Sequence, residues 1–194
     1  AVDLAAQGRT AEAFARFEAI PPEERDAAFY LYRAQTLLAV GRVDVAEADL
    51  QQTLALDPGN AEAYAVQAVI AVSRNQQDEA LQLAQHAVEL APTSAAAKIA
   101  LSFAEQARFQ IEAARDAVQQ AVEDEPDNAL AWARLSELWL MLGFRDRAVE
   151  TARHARDLAP DLARVQTVLG FAALAEFDRG RAEKAFRAAI ERDQ

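Results

Sequence analysis

Two histidines, His86 and His154, are the side chains of this sequence best suited to bind a metal or to move a proton near neutral pH. The chain has no cysteine, which removes thiolate nucleophiles, disulfides and cysteine-based zinc sites. Both histidines occupy the same position of a 34-residue repeat, two repeats apart. Packed helices lie about 8–10 Å apart, so the two rings would be roughly 20 Å apart, too far to share a metal. We interpret both as surface residues.

The glycines and carboxylates offer no catalytic arrangement either. Gly41, Gly59, Gly143 and Gly180 fall at turns of the repeat, and no glycine-rich loop follows a strand as a phosphate-binding loop would. The many carboxylates fall mostly at exposed positions of the predicted helices. We therefore expect a non-catalytic chain, with no cofactor and no metal.

The charge of the chain excludes further classes of function. The net charge is -11, and residues 1–128 carry 21 acidic and 9 basic side chains, against 10 and 11 in the remainder. An acidic array repels phosphate, so we expect no nucleic-acid partner. The acidic run at residues 123–127 is either a docking patch for a basic partner or a divalent ion, or a solvated turn, and we favour the turn. No apolar run approaches the roughly 20 residues of a membrane span, and no signal-peptide pattern occurs.

An internal repeat organises the chain. Prolines and alanines recur at intervals of 34 residues, in ladders with fixed offsets from one another, at Pro58, Pro92, Pro126 and Pro160, and at Ala46, Ala80, Ala114, Ala148 and Ala182. Chance is a poor explanation for several ladders with one period, and such a period is typical of solenoid proteins.

Each repeat unit predicts two helices. In the fourth unit, residues 129–142 are rich in helix-forming residues, Gly143 supplies a break, and a second helical stretch ends before Pro160. Asn60, Ser94 and Asn128 follow three of the prolines, where the N-caps of the next helices belong. No stretch alternates apolar and polar residues as a strand would, so the predicted fold class is all-α.

Residues at fixed offsets of the repeat match the pattern of a known family. The matches in the second, fourth and last units are Tyr64, Ala80, Ala87 and Pro92, then Trp132, Leu135, Trp139, Ala148, Ala155 and Pro160, then Leu169, Gly170, Ala182, Phe186 and Ala189. On these residues the chain resembles the tetratricopeptide repeat (TPR), a 34-residue helix-turn-helix unit.

The resemblance implies a right-handed α-solenoid in a single array. A leading half-repeat at 1–26, carried by Gly8, Ala13, Phe17 and Ile20, precedes repeats at 27–60, 61–94, 95–128, 129–162 and 163–194. Within the half-repeat, residues 1–6 are the tail of a first helix. Terminal repeats usually carry a polar outer face. Neither end shows one, so we expect a piece of a longer protein, with Phe186 and Ile190 only partly covered.

The third repeat departs from the pattern. Lys98 and Glu105 occupy positions where other units have large apolar residues, and burying either charge unpaired would be costly. The first interpretation is that this helix rolls, so that Ile99, Leu101 and Phe103 fill the core and Lys98 reaches water. The alternative is a local irregularity used for binding.

The resemblance also implies a concave groove, lined by the first helix of each unit, that binds protein partners. Carried over position by position, the groove residues are Leu31, Tyr32, Gln35, Leu38, Val66, Val69, Val72, Ile99, Phe103, Arg134, Glu137, Leu140, Met141, Arg164, Val168, Phe171 and Leu174. Some TPR proteins grip acidic chaperone tails with lysine, asparagine and arginine in this groove. Here the asparagine-type position holds Gln35, Val69, Phe103, Glu137 and Phe171, so we exclude that two-carboxylate clamp.

The groove is an apolar stripe with one charged island. A long exposed apolar groove marks an interaction site, and amphipathic helices bind such grooves. The predicted function is a protein-interaction scaffold for an apolar or amphipathic segment, within a bacterial assembly or secretion protein. The alternatives are a self-association module, and a regulatory domain of an enzyme whose catalytic part lies elsewhere. The sequence leaves the compartment open between bacterial cytoplasm and periplasm.

Overall fold

The computed structural model describes residues 9–192, and within that range the chain forms eleven α-helices and one short 3-10 turn, Pro22–Glu24. The helices are α1 Thr10–Glu18, α2 Ala27–Ala39, α3 Val43–Leu56, α4 Ala61–Ser73, α5 Gln77–Leu90, α6 Ala95–Ala107, α7 Ile111–Asp124, α8 Ala129–Met141, α9 Arg145–Leu158, α10 Ala163–Ala175 and α11 Arg179–Arg192. The predicted all-α solenoid class is confirmed, and the described residues contain no strand.

The helices alternate between two roles. Even-numbered helices from α2 to α10 are the inner helices, and odd-numbered helices from α3 to α11 are the outer helices. Each inner helix packs against the outer helix that follows it, and the later inner helices also contact one another. Residues 1–8, including the predicted first-helix tail at 1–6, lie outside the described range. The leading half-repeat is represented by α1, whose Phe17 ring meets Phe29 edge-on at 5.7 Å.

Short polar side chains start the inner helices. Asp26, Asn60, Ser94 and Asn128 each accept a hydrogen bond from the backbone N–H three residues on, at 2.8–3.3 Å. These bonds satisfy donors that a helix N-terminus otherwise leaves free. At the start of α10 the corresponding residue is Leu162, and it provides no such bond.

The turn between the helices of each repeat needs a left-handed residue. Positive φ values between 60° and 82° occur at Gly41, Asn75, Phe109, Gly143 and Phe177, which are spaced by 34 residues. Glycine and asparagine adopt this conformation readily, whereas a bulky aromatic residue does so at a cost. Phe109 and Phe177 are nevertheless 84% and 81% exposed, so burial of their side chains does not offset the cost of the left-handed conformation.

Small side chains let the helices approach closely. The fully buried residues between α4, α5 and α6 are all alanines, at positions 65, 68, 71, 80, 84, 87, 97, 100 and 104, and larger side chains such as Tyr64, Leu81 and Leu101 pack against them half-buried. Farther along, the core around α8 contains Val118, Leu135, Leu138 and Trp139. In the last repeat Gly170 is buried against the ring of Phe186. The amount of apolar surface buried therefore differs between repeats.

The third repeat does not roll. Lys98 is buried, and its ammonium group pairs with the Asp124 carboxylate at the end of α7. Ala97, Ala100 and Ala104 face the core in the regular register, while Ile99, Leu101 and Phe103 are only half-buried. The expectation that Lys98 reaches water was wrong, because a partner on the neighbouring helix compensates its charge.

The acidic run is partly structural. Glu125 accepts a hydrogen bond from the Ala95 N–H at 2.8 Å and another from the Asn128 side chain at 2.9 Å. With Asp124 paired to Lys98, these contacts join the two helices of the third repeat and leave less charge for a docking patch. Within residues 9–192, no helix is both long and apolar enough to span a bilayer.

Candidate partner-binding groove

A cavity of about 650 Å³ opens on the surface formed by four inner helices. Helix α4 contributes Val72, α6 contributes Phe103, Gln106 and Ala107, α8 contributes Arg134, Glu137, Leu140 and Met141, and α10 contributes Arg164, Thr167 and Phe171. Because these residues come from four successive repeats, the cavity exists only in the assembled array. We refer to it below as the groove cavity.

The groove cavity collects eight of the seventeen residues predicted from the sequence, namely Val72, Phe103, Arg134, Glu137, Leu140, Met141, Arg164 and Phe171. Gln106, Ala107 and Thr167 also line the cavity and were not predicted from the sequence. Gln106 and Ala107 precede Leu140 and Met141 by 34 residues, and that period would have identified them.

The other predicted residues lie elsewhere. Exposed Tyr32, Val69 and Leu174, and half-buried Gln35, Leu38, Val66 and Ile99, do not line the cavity. The prediction that Leu31 and Val168 line the groove was wrong. Both are buried in the packing between helices and offer no groove surface, because their side chains point into the core rather than along the inner face.

Arg134 is the most unusual residue of the groove cavity, since it is charged and only 4% exposed. Its guanidinium carbon lies 3.8 Å from the centroid of the Phe103 ring, and its N–H groups donate to the Ser102 hydroxyl at 3.0 Å, the Ser102 carbonyl at 3.3 Å and the Gln106 amide oxygen. Burial lowers the pKa of Arg134 from its usual value, and the hydrogen bond to Glu137 opposes that shift. Arg134 therefore fills the space between α6 and α8 as a polar wedge.

Glu137 is shared between two arginines. Its carboxylate lies 3.0 Å from Arg134 and 2.6 Å from Arg164. Arg164 uses a single nitrogen, Nη2, for both carboxylate oxygens, and its side chain stays 48% exposed. The floor of the groove cavity thus holds two cations and one anion, surrounded by apolar walls.

A second cavity of about 640 Å³ lies between α8 and the outer helices α7 and α9, and Trp132, Trp139, Arg147 and His154 are among its lining residues. Trp139 is covered there by Arg115 and Arg147, whose guanidinium carbons lie 5.0 and 4.6 Å from its ring centroid. The aromatic surface is therefore already occupied by the chain's own side chains. This cavity is a weaker candidate for a partner site than the groove cavity.

The two histidines are surface residues that contact aromatic rings, His86 edge-on and His154 at a tilt. His86 meets Tyr64 at 4.6 Å and His154 meets Trp132 at 4.2 Å between ring centroids. In the part of the chain that the structure describes, no three histidine or acidic side chains are placed to hold a metal ion.

Comparison with known proteins agrees with this geometry. The family model described as Tetratricopeptide repeat matches residues 31–95. No curated protein matches the chain. Among solved structures, a thermophilic TPR protein of Thermus thermophilus is 21% identical with a TM-score of 0.75, and the match covers 86% of this chain and 91% of that one.

Two further solved structures show the same fold with lower superposition scores. MamA is 25% identical with a TM-score of 0.57, over 82% of this chain and 94% of that one. YrrB, described as a TPR protein with an unusual peptide-binding site, is 22% identical with a TM-score of 0.52, over 86% of each chain.

Proposed function

Since residues 31–95 match the tetratricopeptide repeat family and the array of helix pairs has the fold of solved TPR proteins, we propose that the chain is a non-catalytic scaffold that binds an apolar or amphipathic helical segment of another protein in the groove cavity. The observation that carries the proposal is the continuity of the cavity across four inner helices. A segment bound there would contact several repeats at once. Such a scaffold would serve within a bacterial assembly or secretion protein.

The exposed apolar side chains of the inner helices support this proposal. Met141, Phe171 and Leu174 are 55%, 51% and 45% exposed, although all three lie on helices whose other faces are buried. An amphipathic helix laid across them would remove this surface from water. Each buried apolar side chain contributes about 1.5–3 kcal/mol, whereas an exposed ion pair contributes about 0–1 kcal/mol. The apolar walls would therefore supply most of the affinity.

Self-association is the second candidate, favoured by a separate observation at the end of the array. Ile190 on the last helix is 62% exposed, and Phe186 beside it is half-buried. A second copy that packs on this end would cover both residues. Light scattering separates the two candidates, because a partner scaffold stays monomeric in isolation and a self-association module does not.

The test of the scaffold function uses a display library of random peptides about 16 residues long, roughly four helical turns. We expect recovered peptides to carry apolar residues at i, i+3, i+4 and i+7. Met141→Glu should weaken their binding about 10-fold or more, because it puts a charge on the cavity wall. Leu158→Glu is the matched control on an outer helix, outside the groove cavity, and should leave binding unchanged.

Circular dichroism should show the same helix content for both variants, since both changes replace exposed side chains. Two outcomes contradict the scaffold proposal. One is a library from which no peptide is enriched. The other is a set of peptides whose binding survives Met141→Glu, or is weakened equally by the Leu158→Glu control.

A further inference from the structure

The charged floor of the groove cavity is positive in a chain that is strongly negative overall. Arg134, Glu137 and Arg164 are the charged residues that line the cavity, so two cations face one anion. The whole chain has a net charge of -11. The acidic surface of the protein attracts basic groups. The positive charge in the groove cavity repels them, and it favours an anionic group at that place.

The two arginines differ in what they can still bind. Arg134 is enclosed, and its donors are engaged by Ser102, Gln106 and Glu137. Arg164 is half exposed and engages Glu137 through Nη2 alone. Its Nε and Nη1 groups have no hydrogen-bond partner among the described residues. Three N–H donors of Arg164 are therefore left for a ligand.

Glu137 does not cancel this charge. Its carboxylate is held between Arg134 and Arg164 at 3.0 and 2.6 Å, so it offsets one of the two cations. The walls around the triad are apolar, with Leu140 and Met141 on α8 and Phe171 on α10. A ligand group that enters here is partly removed from water, where a charge-assisted hydrogen bond is stronger than at a free surface.

We propose that the partner segment carries one aspartate or glutamate side chain among its apolar anchors, and that this carboxylate binds Arg164 at the floor of the groove cavity. The inference rests on the proposed function, because it concerns what the same groove selects. Arg134 acts through Glu137, since it holds that carboxylate in place and leaves Arg164 as the donor to the ligand. A single carboxylate is selected, from within a helical segment rather than from an acidic tail.

The test compares peptides that differ only in whether one side chain is glutamate or glutamine. A display library about 16 residues long keeps apolar residues at i, i+3, i+4 and i+7 and allows only glutamate, glutamine or lysine at the positions between them. The parent protein should enrich glutamate over glutamine at one of these positions. Synthetic peptides with glutamate and glutamine there should differ in Kd by roughly 3- to 10-fold, and added salt should reduce the difference.

Arg164→Gln supplies the decisive variant, because the side chain is exposed and its loss should leave the fold intact. This variant should still bind the apolar peptides while the preference for glutamate disappears. Arg156→Gln lies on the outer helix α9, where the ion pair of Arg156 among residues 9–192 is with its neighbour Asp157; this variant is the matched control and should keep the preference.

The outcomes separate this inference from the proposed function. Apolar peptides that bind the parent with equal affinity whether they carry glutamate or glutamine overturn the carboxylate proposal and leave the scaffold intact. A glutamate preference that persists in Arg164→Gln also overturns it. If no peptide binds, or if binding is indifferent to Met141→Glu, the groove itself is not the binding surface and both proposals fail.

Discussion

Gly170 is the position where one added carbon should do the most damage. A Cβ atom built on Gly170 would lie 2.6 Å from both Cδ1 and Cζ of the Phe186 ring, far inside van der Waals contact. The ring cannot move away without cost, because it also meets Phe171 edge-on at 5.2 Å. Overpacking of this kind costs about 1–3 kcal/mol. Alanine is a better helix former than glycine by about 1 kcal/mol, which opposes the loss.

We therefore expect Gly170→Ala to destabilise the last repeat by up to about 2 kcal/mol after the gain in helix propensity is subtracted. Repeat arrays do not unfold as one unit, so a global melting curve dilutes the effect. Native-state hydrogen exchange of amides in α10 and α11 measures it directly, and amides in α2 and α3 serve as the internal reference.

The first repeat supplies the compensating change. Its equivalent positions hold Ala34 and Leu50, both fully buried in one cluster. The double variant Gly170→Ala with Phe186→Leu copies that pair and should recover at least about 1 kcal/mol of coupling energy, as judged by a double-mutant cycle. If amides in α10 and α11 exchange more slowly in Gly170→Ala than in the parent protein, the gain in helix propensity exceeds the cost of overpacking. That result would refute the argument from the close packing of Gly170 on the ring.

Two further predictions concern strain and buried charge. Phe109→Gly and Phe177→Gly should each raise the urea midpoint of unfolding, because a left-handed residue other than glycine costs about 1–2 kcal/mol. The control Phe144→Gly, at φ -85°, should not raise it. Equal effects of all three substitutions would contradict the argument from backbone strain. Asp124→Asn should lower the free energy of unfolding by about 1–3 kcal/mol, because Lys98 is then buried without its partner, and Lys98→Met should lower it by less than about 1 kcal/mol. Urea unfolding in which Lys98→Met is the more destabilising variant would contradict this account of the buried pair.

The all-α fold was predictable from the sequence because its signals are local. Prolines, alanines and capping residues act within a few residues of their own position, and they recur with the period of the repeat. A helix that begins beside Asn60 or Asn128 needs no information from elsewhere in the chain.

The charged contacts were not predictable in the same way. Lys98 pairs with Asp124, which lies 26 positions further along the chain, and Arg134 contacts Ser102 and Gln106 on the preceding inner helix. A pattern of residue types indicates that a buried charge needs a partner, and only packing decides which partner it finds. For the same reason Leu31 and Val168 were assigned to the groove although they lie in the core, since a small rotation of a helix exchanges the two faces.

The alanine core of the second and third repeats has a consequence for how the array comes apart. A buried alanine removes far less apolar surface from water than a leucine or a tryptophan does, so the fully buried residues between α4, α5 and α6 contribute less free energy than those around α8. In a chain where each unit is stabilised mainly by its neighbours, such differences set the order in which units open. The groove cavity takes most of its lining from α6, α8 and α10, and Val72 from α4. A partner bound there would hold together helices on both sides of the alanine core.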